Sequence, residues 1–156
     1  MSNPESPLSL PAPALVWFRE DLRLADNPAL HAAVATGKPL VLLFIHDEAS
    51  PGLRPYGGAS RWWLDKSLAA LAARIAAAGG QLALRAGASA DVLPAIIAET
   101  GADRVFWNRR YQKAERDLDG AIMDALKASG VAVSSFNGRL LNEPWQIETG
   151  AGGDYK

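Results

Sequence analysis

Apolar positions along the chain follow two alternating periods. Five short β-rich runs, Ala14 to Phe18, Leu40 to His46, Gln81 to Arg85, Arg104 to Trp107 and Val131 to Phe136, are separated by stretches with apolar residues every three to four positions. The first stretch reads as a helix from Pro28 to Thr36, because Asn27 supplies a capping side chain, Pro28 suits the first helical position and Gly37 follows the end. The second carries the stripe Leu64, Leu68, Leu71 and Ile75 and stops at Gly79-Gly80. A third, Ser89 to Thr100, is marked by Val92, Leu93, Ile96 and Ile97, with Pro94 expected in its first turn, where a helix tolerates proline. The fourth, Ala114 to Ser129, has Leu118, Ile122 and Leu126 four apart and closes with Gly130.

Strands alternating with helices predict an α/β fold. Leu40 to Ile45 is apolar on both faces, as expected of a central strand in a parallel sheet covered by helices on both sides. Right-handed crossovers then give a Rossmann-like, doubly wound, five-stranded parallel sheet of order 3-2-1-4-5, reversing direction between strands 1 and 4. Ligands of such folds bind beyond the carboxyl ends of the strands at the reversal. The residues leaving those strands are Arg19-Glu20-Asp21-Leu22-Arg23 and Asn108-Arg109-Arg110-Tyr111.

Composition narrows the classes. A chain of 156 residues, 49% hydrophobic and 21% charged, is one globular domain. Sixteen basic against 17 acidic residues give a net charge of -1, which argues against an overall nucleic-acid footprint and leaves only a local basic patch open. Without cysteine there are no disulfides, thiolate metal sites, iron–sulfur clusters or thiol nucleophiles, and two histidines, His31 and His46, leave little for a metal. No apolar run approaches the roughly 20 residues that cross a bilayer. Residues 1–13, with Pro4, Pro7, Pro11 and Pro13, lack the character of a secretory signal and read as a flexible leader, so a cytoplasmic location is the default. The glycine-rich end from Thr149 to Lys156 reads as a linker cut short.

The candidate chemistry is that of a binding site. Arg19, Arg23, Arg109 and Arg110 either converge on an anion or on a partner's carboxylates, or are solvated and paired with Glu20, Asp21 and Asp26. The first strand-to-helix turn contains no glycine, which argues against a dinucleotide site or a P-loop. No serine lies in a nucleophile elbow. His46, beside Asp47 and Glu48, is either a general base or simply a polar strand exit. Glu115 and Asp119, four apart, are expected on an exposed helical face with Lys113 and Arg116. Of the adjacent Trp62 and Trp63, one must face away from the Leu64–Leu68 stripe, as a core cap or as a docking or stacking surface.

The run Leu15-Val16-Trp17-Phe18-Arg19-Glu20-Asp21-Leu22-Arg23-Leu24-Ala25-Asp26-Asn27-Pro28-Ala29-Leu30 closely resembles the opening of DNA photolyases and cryptochromes. It is joined in order by Gly57-Gly58-Ala59-Ser60-Arg61-Trp62-Trp63-Leu64, by Trp107-Asn108-Arg109-Arg110-Tyr111 and by Gly152-Gly153-Asp154-Tyr155-Lys156. The pattern is most like class I deoxyribodipyrimidine photolyases. The resemblance implies an N-terminal α/β domain over residues 14–142, followed at 143–156 by the start of a linker to an FAD-binding helical domain that this chain lacks. It implies a parent enzyme, a carbon–carbon lyase that repairs pyrimidine dimers in damaged DNA with blue light, and a fragment that is catalytically inert alone.

In that family the FAD and the electron-relaying tryptophans belong to the helical domain, while the N-terminal domain holds an antenna chromophore, a folate or a deazaflavin, and passes its excitation on without covalent chemistry. Carried over residue by residue, Glu115 stands at the glutamate of the folate-binding Asn-Glu pair, but Ala114 replaces the asparagine. Arg110 and Gln112 stand where deazaflavin-binding members carry acidic residues. An antenna crevice of Asn108, Arg109, Arg110 and Glu115 is expected, occupied by folate, by deazaflavin, by another flavin or by nothing. Folate is expected to bind this fragment weakly, because the family's folate cleft also uses residues of the missing domain. Arg19, Arg23, Asp26, Asn27 and Trp62 are the expected contacts to that domain. The competing readings are a cryptochrome-type photoreceptor domain and a free-standing nucleotide-binding domain of the universal-stress type.

Overall fold

The computed structural model describes residues 11–147. Residues 1–10 and 148–156, and with them most of the expected leader and the Gly-Gly-Asp-Tyr-Lys end, lie outside the described residues. The elements in chain order are β1 (Ala14–Phe18), α1 (Pro28–Ala35), β2 (Leu40–His46), α2 (Gly58–Ala77), β3 (Leu82–Ala86), α3 (Ser89–Thr100), β4 (Arg104–Asn108), α4 (Lys113–Ala128) and β5 (Ala132–Phe136), with a 3-10 turn at Pro144–Gln146. The strands form one parallel sheet of order β3-β2-β1-β4-β5, as expected from right-handed crossovers. Its reversal falls between β1, which pairs with β2 from Ala14↔Leu40 to Phe18↔Phe44, and β4, which pairs with β1 from Ala14↔Arg104 to Val16↔Phe106.

Strand alternation assigns two cores. Leu15 and Trp17 of β1 join Leu43, Ile45, Val105 and Trp107 beneath Leu93 and Ile96 of α3 and Ile122 and Leu126 of α4. Ala14, Val16 and Phe18 join Phe44 and Phe106 beneath Ala29 and Ala33 of α1 and Leu71 and Ile75 of α2. The indoles of Trp17 and Trp107 meet edge to face at 5.6 Å and 83°, an arrangement worth about 0.5–1.5 kcal/mol beyond the area buried.

The local signals act as their chemistry dictates. The Asn27 side chain accepts from the Leu30 amide at 3.2 Å and caps α1 ahead of Pro28, and Gly101 ends α3 in the left-handed conformation at φ 69°. One expectation is corrected: Pro94 lies in the second turn of α3, which begins at Ser89, so the helix accommodates a proline with no amide to offer the Ala90 carbonyl. Burial of Leu93 and Ile96 on either side holds the helix together there. Among the described residues no helix is long and apolar enough to cross a membrane, and no group of three or more His, Cys, Asp or Glu could hold a metal ion.

Candidate ligand cavity

The carboxyl ends of β1 and β2 open into a cavity of about 480 Å³ on the α3–α4 face, within the range of small-molecule sites. Trp17 and Arg19 from β1 and Ile45 and Asp47 from β2 reach it because the period of two that aims Leu15 and Leu43 at that face continues past the strand ends. The loop from Gly52 to Tyr56, Ser89 at the start of α3, and Arg110, Gln112, Ala114 and Glu115 around the start of α4 complete the wall.

Three cations and three carboxylates line it, Arg19, Arg54 and Arg110 against Glu20, Asp47 and Glu115. Behind the wall, Asp119 bridges two guanidiniums: Oδ2 accepts from Arg19 Nη1 and Oδ1 from Arg110 Nη2, each at 2.6 Å. Arg110 Nη1 also stands 3.7 Å from Glu115 Oε1. Burial pulls Arg19 below the ordinary guanidinium value while Asp119 opposes it, and a second Arg19 nitrogen donates to the Asn108 carbonyl. Burial also holds the Glu115 carboxyl above its ordinary value, although Arg110 pulls the other way. Arg19 lies 4.6 Å and Arg110 5.8 Å from the centroid of the Trp17 ring, so that indole is flanked by two cations.

Asp47 acts structurally. Its Oδ1 accepts from the amides of Ala49 and Ser50, and its Oδ2 from Ser50 Oγ at 2.6 Å and from the Ser89 amide at 2.8 Å. Burial would raise its pKa, but these four bonds outweigh that and hold it below the ordinary carboxylate value. It thereby supplies α3 with the N-terminal anion that Ala88 cannot provide. Gly52, at φ 82°, comes close enough to α4 that a Cβ there would stand 3.4 Å from Ala114 Cβ, so the small residue at 114 lets the loop close over the cavity.

Of the expected crevice residues, Arg110 and Glu115 line the cavity and Asn108 and Arg109 do not. Asn108 is buried beside α1, where its side chain donates to Asn27 Oδ1 at 2.8 Å and accepts from the Ala29 amide at 3.2 Å. Arg109 turns toward β5 and the chain's exit, donating to the Ser135 carbonyl at 2.7 Å and to Glu143, which also accepts from Tyr111 at 3.0 Å. Glu143 thus pins residues 143–147, expected as the start of a linker, to the body of the domain.

The expected exposed face of α4 is corrected. Asp119 is buried and the Glu115 side chain is 14% exposed. The signal was present: Asp119 precedes Ile122 and Leu126 by three and seven residues and so belongs to the buried stripe. Pairing of the arginines with Glu20, Asp21 and Asp26 holds for Arg23, whose Nη2 stands 4.0 Å from Asp26 Oδ2, and is corrected for the others, since Arg19 and Arg110 pair with Asp119, and Arg109 with Glu143. Glu20 pairs with Arg139 instead. Of the pair on α2, both indoles are exposed, Trp62 at 59% and Trp63 at 66%, with centroids 5.3 Å apart, so neither caps the core. Among the expected interdomain residues, Arg19 and Asn27 are interior, whereas Arg23, Asp26 and Trp62 remain at the surface. His46 stacks on Tyr56 and lies 3.6 Å from Glu48, outside the cavity wall.

A family model for DNA photolyase matches residues 14–156. The chain belongs to the DNA photolyase family. It is 46% identical over 145 residues to a deoxyribodipyrimidine photo-lyase of Agrobacterium fabrum, covering 93% of this chain and 30% of that protein. It is 42% identical over 135 residues to cryptochrome-1 of Arabidopsis thaliana, covering 86% of this chain and 20% of that one. The crystal structure of a bacterial class III photolyase from Agrobacterium tumefaciens superposes with a TM-score of 0.87 at 45% identity, over 99% of this chain and 31% of that chain. This solved neighbour is of class III, where the motif pattern suggested class I. The chain therefore spans about a third or less of the length of these photolyase-family relatives.

The cavity's residues fit a photolyase-family antenna group in kind. It is concave, and Tyr56, Arg54, Gln112 and Glu115 put aromatic, guanidinium, amide and carboxyl groups in its wall.

Proposed function

We propose that this chain is the light-harvesting and scaffold domain of a blue-light-dependent photolyase that repairs pyrimidine dimers, with FAD and the damaged DNA held by a helical domain such as its longer relatives carry. The observation behind this reading is the cavity of about 480 Å³ at the strand ends, lined by Arg110 and Glu115 among others. A chromophore bound there supplies absorption and passes its excitation on through space. The protein's part is to hold the ring, to shield it between the 52–56 loop and the start of α4, and to keep nucleophiles and metals away from it. Trp17 offers the ring a buried wall, and the Arg19–Asp119–Arg110 bridge fixes the cations behind it. Arg23, Asp26 and the Trp62–Trp63 pair form the surface that meets the helical domain.

Titration of the chain with FMN and with methenyltetrahydrofolate, followed by chromophore absorbance and fluorescence, tests the reading. Binding of FMN at micromolar concentration or tighter, with the folate weaker because its cleft also draws on the helical domain, and loss of both in Ala114→Trp, at the α4 residue that faces Gly52, is the expected result. Failure of both to bind overturns the antenna reading. The cryptochrome-1 similarity favours a second reading, a photoreceptor domain with the same cavity. Replacing the matching part of the Agrobacterium photolyase with this chain separates the two: dimer repair under blue light is expected of the photolyase reading.

A further inference from the structure

We infer that residues 140–147, held in place by Glu143, form a pre-organised apolar docking surface for the helical domain of the longer photolyase chain. This rests on the scaffold reading above and deepens it by naming the segment through which the two domains meet and the residue that positions it.

From Arg139 to Ile147 every residue is exposed except Glu143. The Glu143 side chain is 8% exposed, and its carboxylate accepts from Arg109 Nε at 3.1 Å, from a second Arg109 nitrogen and from Tyr111 Oη at 3.0 Å. Its amide donates to Gln146 Oε1 at 2.9 Å, which closes the short turn at Pro144–Gln146. Upstream, Asn137 Oδ1 accepts from the Leu140 amide at 2.8 Å and its Nδ2 donates to the Leu140 carbonyl at 2.7 Å. Arg23 Nη2 donates to the Gly138 carbonyl at 2.8 Å, so the segment adjoins the surface assigned above to the helical domain. The chain is thus fixed on both sides of Leu141.

Fixing a segment costs about 1–2 kcal/mol per residue in backbone entropy, which burial of its apolar side chains ordinarily offsets. Here that offset is absent. Leu141 is fully exposed, Trp145 is 59% and Ile147 46% exposed, and with Leu140 they make four of the eight large apolar residues exposed among the described residues. The Arg109 guanidinium lies 5.5 Å from the Trp145 ring centroid, so that indole is steadied without being covered. Polar bonds therefore hold apolar side chains out toward water, which suits an interface core and is the reverse of a flexible linker.

The occupant follows from the length of the relatives. This chain covers 30% and 31% of the photolyases it matches, so more than two thirds of each lies outside the matched region. Four side chains fall short of the roughly 800 Å² that each partner of a stable dimer contributes, which disfavours a second copy. A tethered domain docks at high effective concentration and needs less.

The test uses this chain in place of the matching part of the Agrobacterium photolyase, beside the chain alone. Trp145 emission is isolated as the difference from Trp145→Phe, and acrylamide is expected to quench it several-fold less in the FAD-loaded chimera than in the chain alone. Leu141→Ser with Trp145→Ser is expected to leave the melting temperature of the chain alone unchanged, because both residues are exposed. In the chimera the same pair is expected to speed proteolysis between the domains by about five- to thirtyfold, the scale of losing an interface anchor. Glu143→Gln, which keeps Leu141 and Trp145, is expected to speed that cleavage too and to quicken amide exchange at Gln146 and Ile147. If the chimera binds FAD and Trp145 is quenched there as in the chain alone, the docking surface is wrong and the scaffold reading stands. If the chain alone sediments as a dimer that Leu141→Ser dissolves, the occupant is a second copy and the inference is overturned. If the chimera binds no FAD, both fall together.

Discussion

Arg19 at the end of β1 and Asp119 in the second turn of α4, a hundred residues apart, are joined at 2.6 Å with side chains only 6% and 9% exposed. Asp119 at the same time holds Arg110, so one carboxylate fixes two cations on the Trp17 side of the sheet. Removing it leaves charge buried without a partner, the costly way to break such a pair. Asp119→Ala is expected to lose about 3–5 kcal/mol of stability in urea denaturation. A loss below about 1 kcal/mol would show that the two guanidiniums find other acceptors.

Glu115 gives the stability a pH dependence of definite sign. Burial raises its folded pKa above the ordinary 4.5. Below 4.5 the group is protonated in both states and contributes nothing. As pH rises through that value the unfolded chain ionises first, so the folded state loses stability until its own carboxyl ionises, after which the penalty is constant. Glu115→Gln is expected to gain on the parent chain between about pH 4 and pH 7 in paired urea titrations, whatever constant offset the lost Arg110 contact adds. A difference that stays flat or falls with pH contradicts the raised value.

Asp47 has the opposite sign, because its four hydrogen bonds hold its pKa below 3.8. Its stabilisation is complete above that value and is lost as pH falls through the folded pKa. Asp47→Asn is expected to flatten acid unfolding and to speed amide exchange at the start of α3, seen by hydrogen exchange. Unchanged exchange at Ser89 would show that α3 does not depend on this cap.

Gly138 meets the Asn108 side chain so closely that an added Cβ would stand 2.8 Å from its Cγ. Asn108 cannot retreat, since it bonds Asn27 and the Ala29 amide at the start of α1. Gly138→Ala is expected to lower stability by about 1–3 kcal/mol through overpacking, measured by thermal melting. Gly57→Ala, where a Cβ meets nothing within 4 Å, is the paired control.

Trp62 and Trp63 are expected to contribute little to the fold. The double substitution to serine is expected to leave stability within about 0.5 kcal/mol, because both rings are mostly exposed. A larger loss in chemical denaturation would mean that the pair packs on the domain and is not free to meet another.

Local chemistry made the architecture readable from the chain alone. Asn27 before Pro28, Gly101 after α3 and the doubly apolar β2 each act through neighbours in sequence, and crossover handedness then leaves one strand order. A strand-end location followed from the same order, although β2 takes part in it beside the expected reversal between β1 and β4; Arg110 was read from its place after β4, and Glu115 only through the family resemblance. Tertiary structure alone decided how charge is distributed there. Asp47 is a polar strand exit until α3 arrives and presents an uncapped amide. Asp119 is one acid among several on α4 until the helix rotates its Ile122–Leu126 stripe, and Asp119 with it, onto β1 and Arg19. A carboxylate's partner depends on which surfaces the fold brings within about 3 Å, and no spacing along the chain encodes a contact made across a hundred residues.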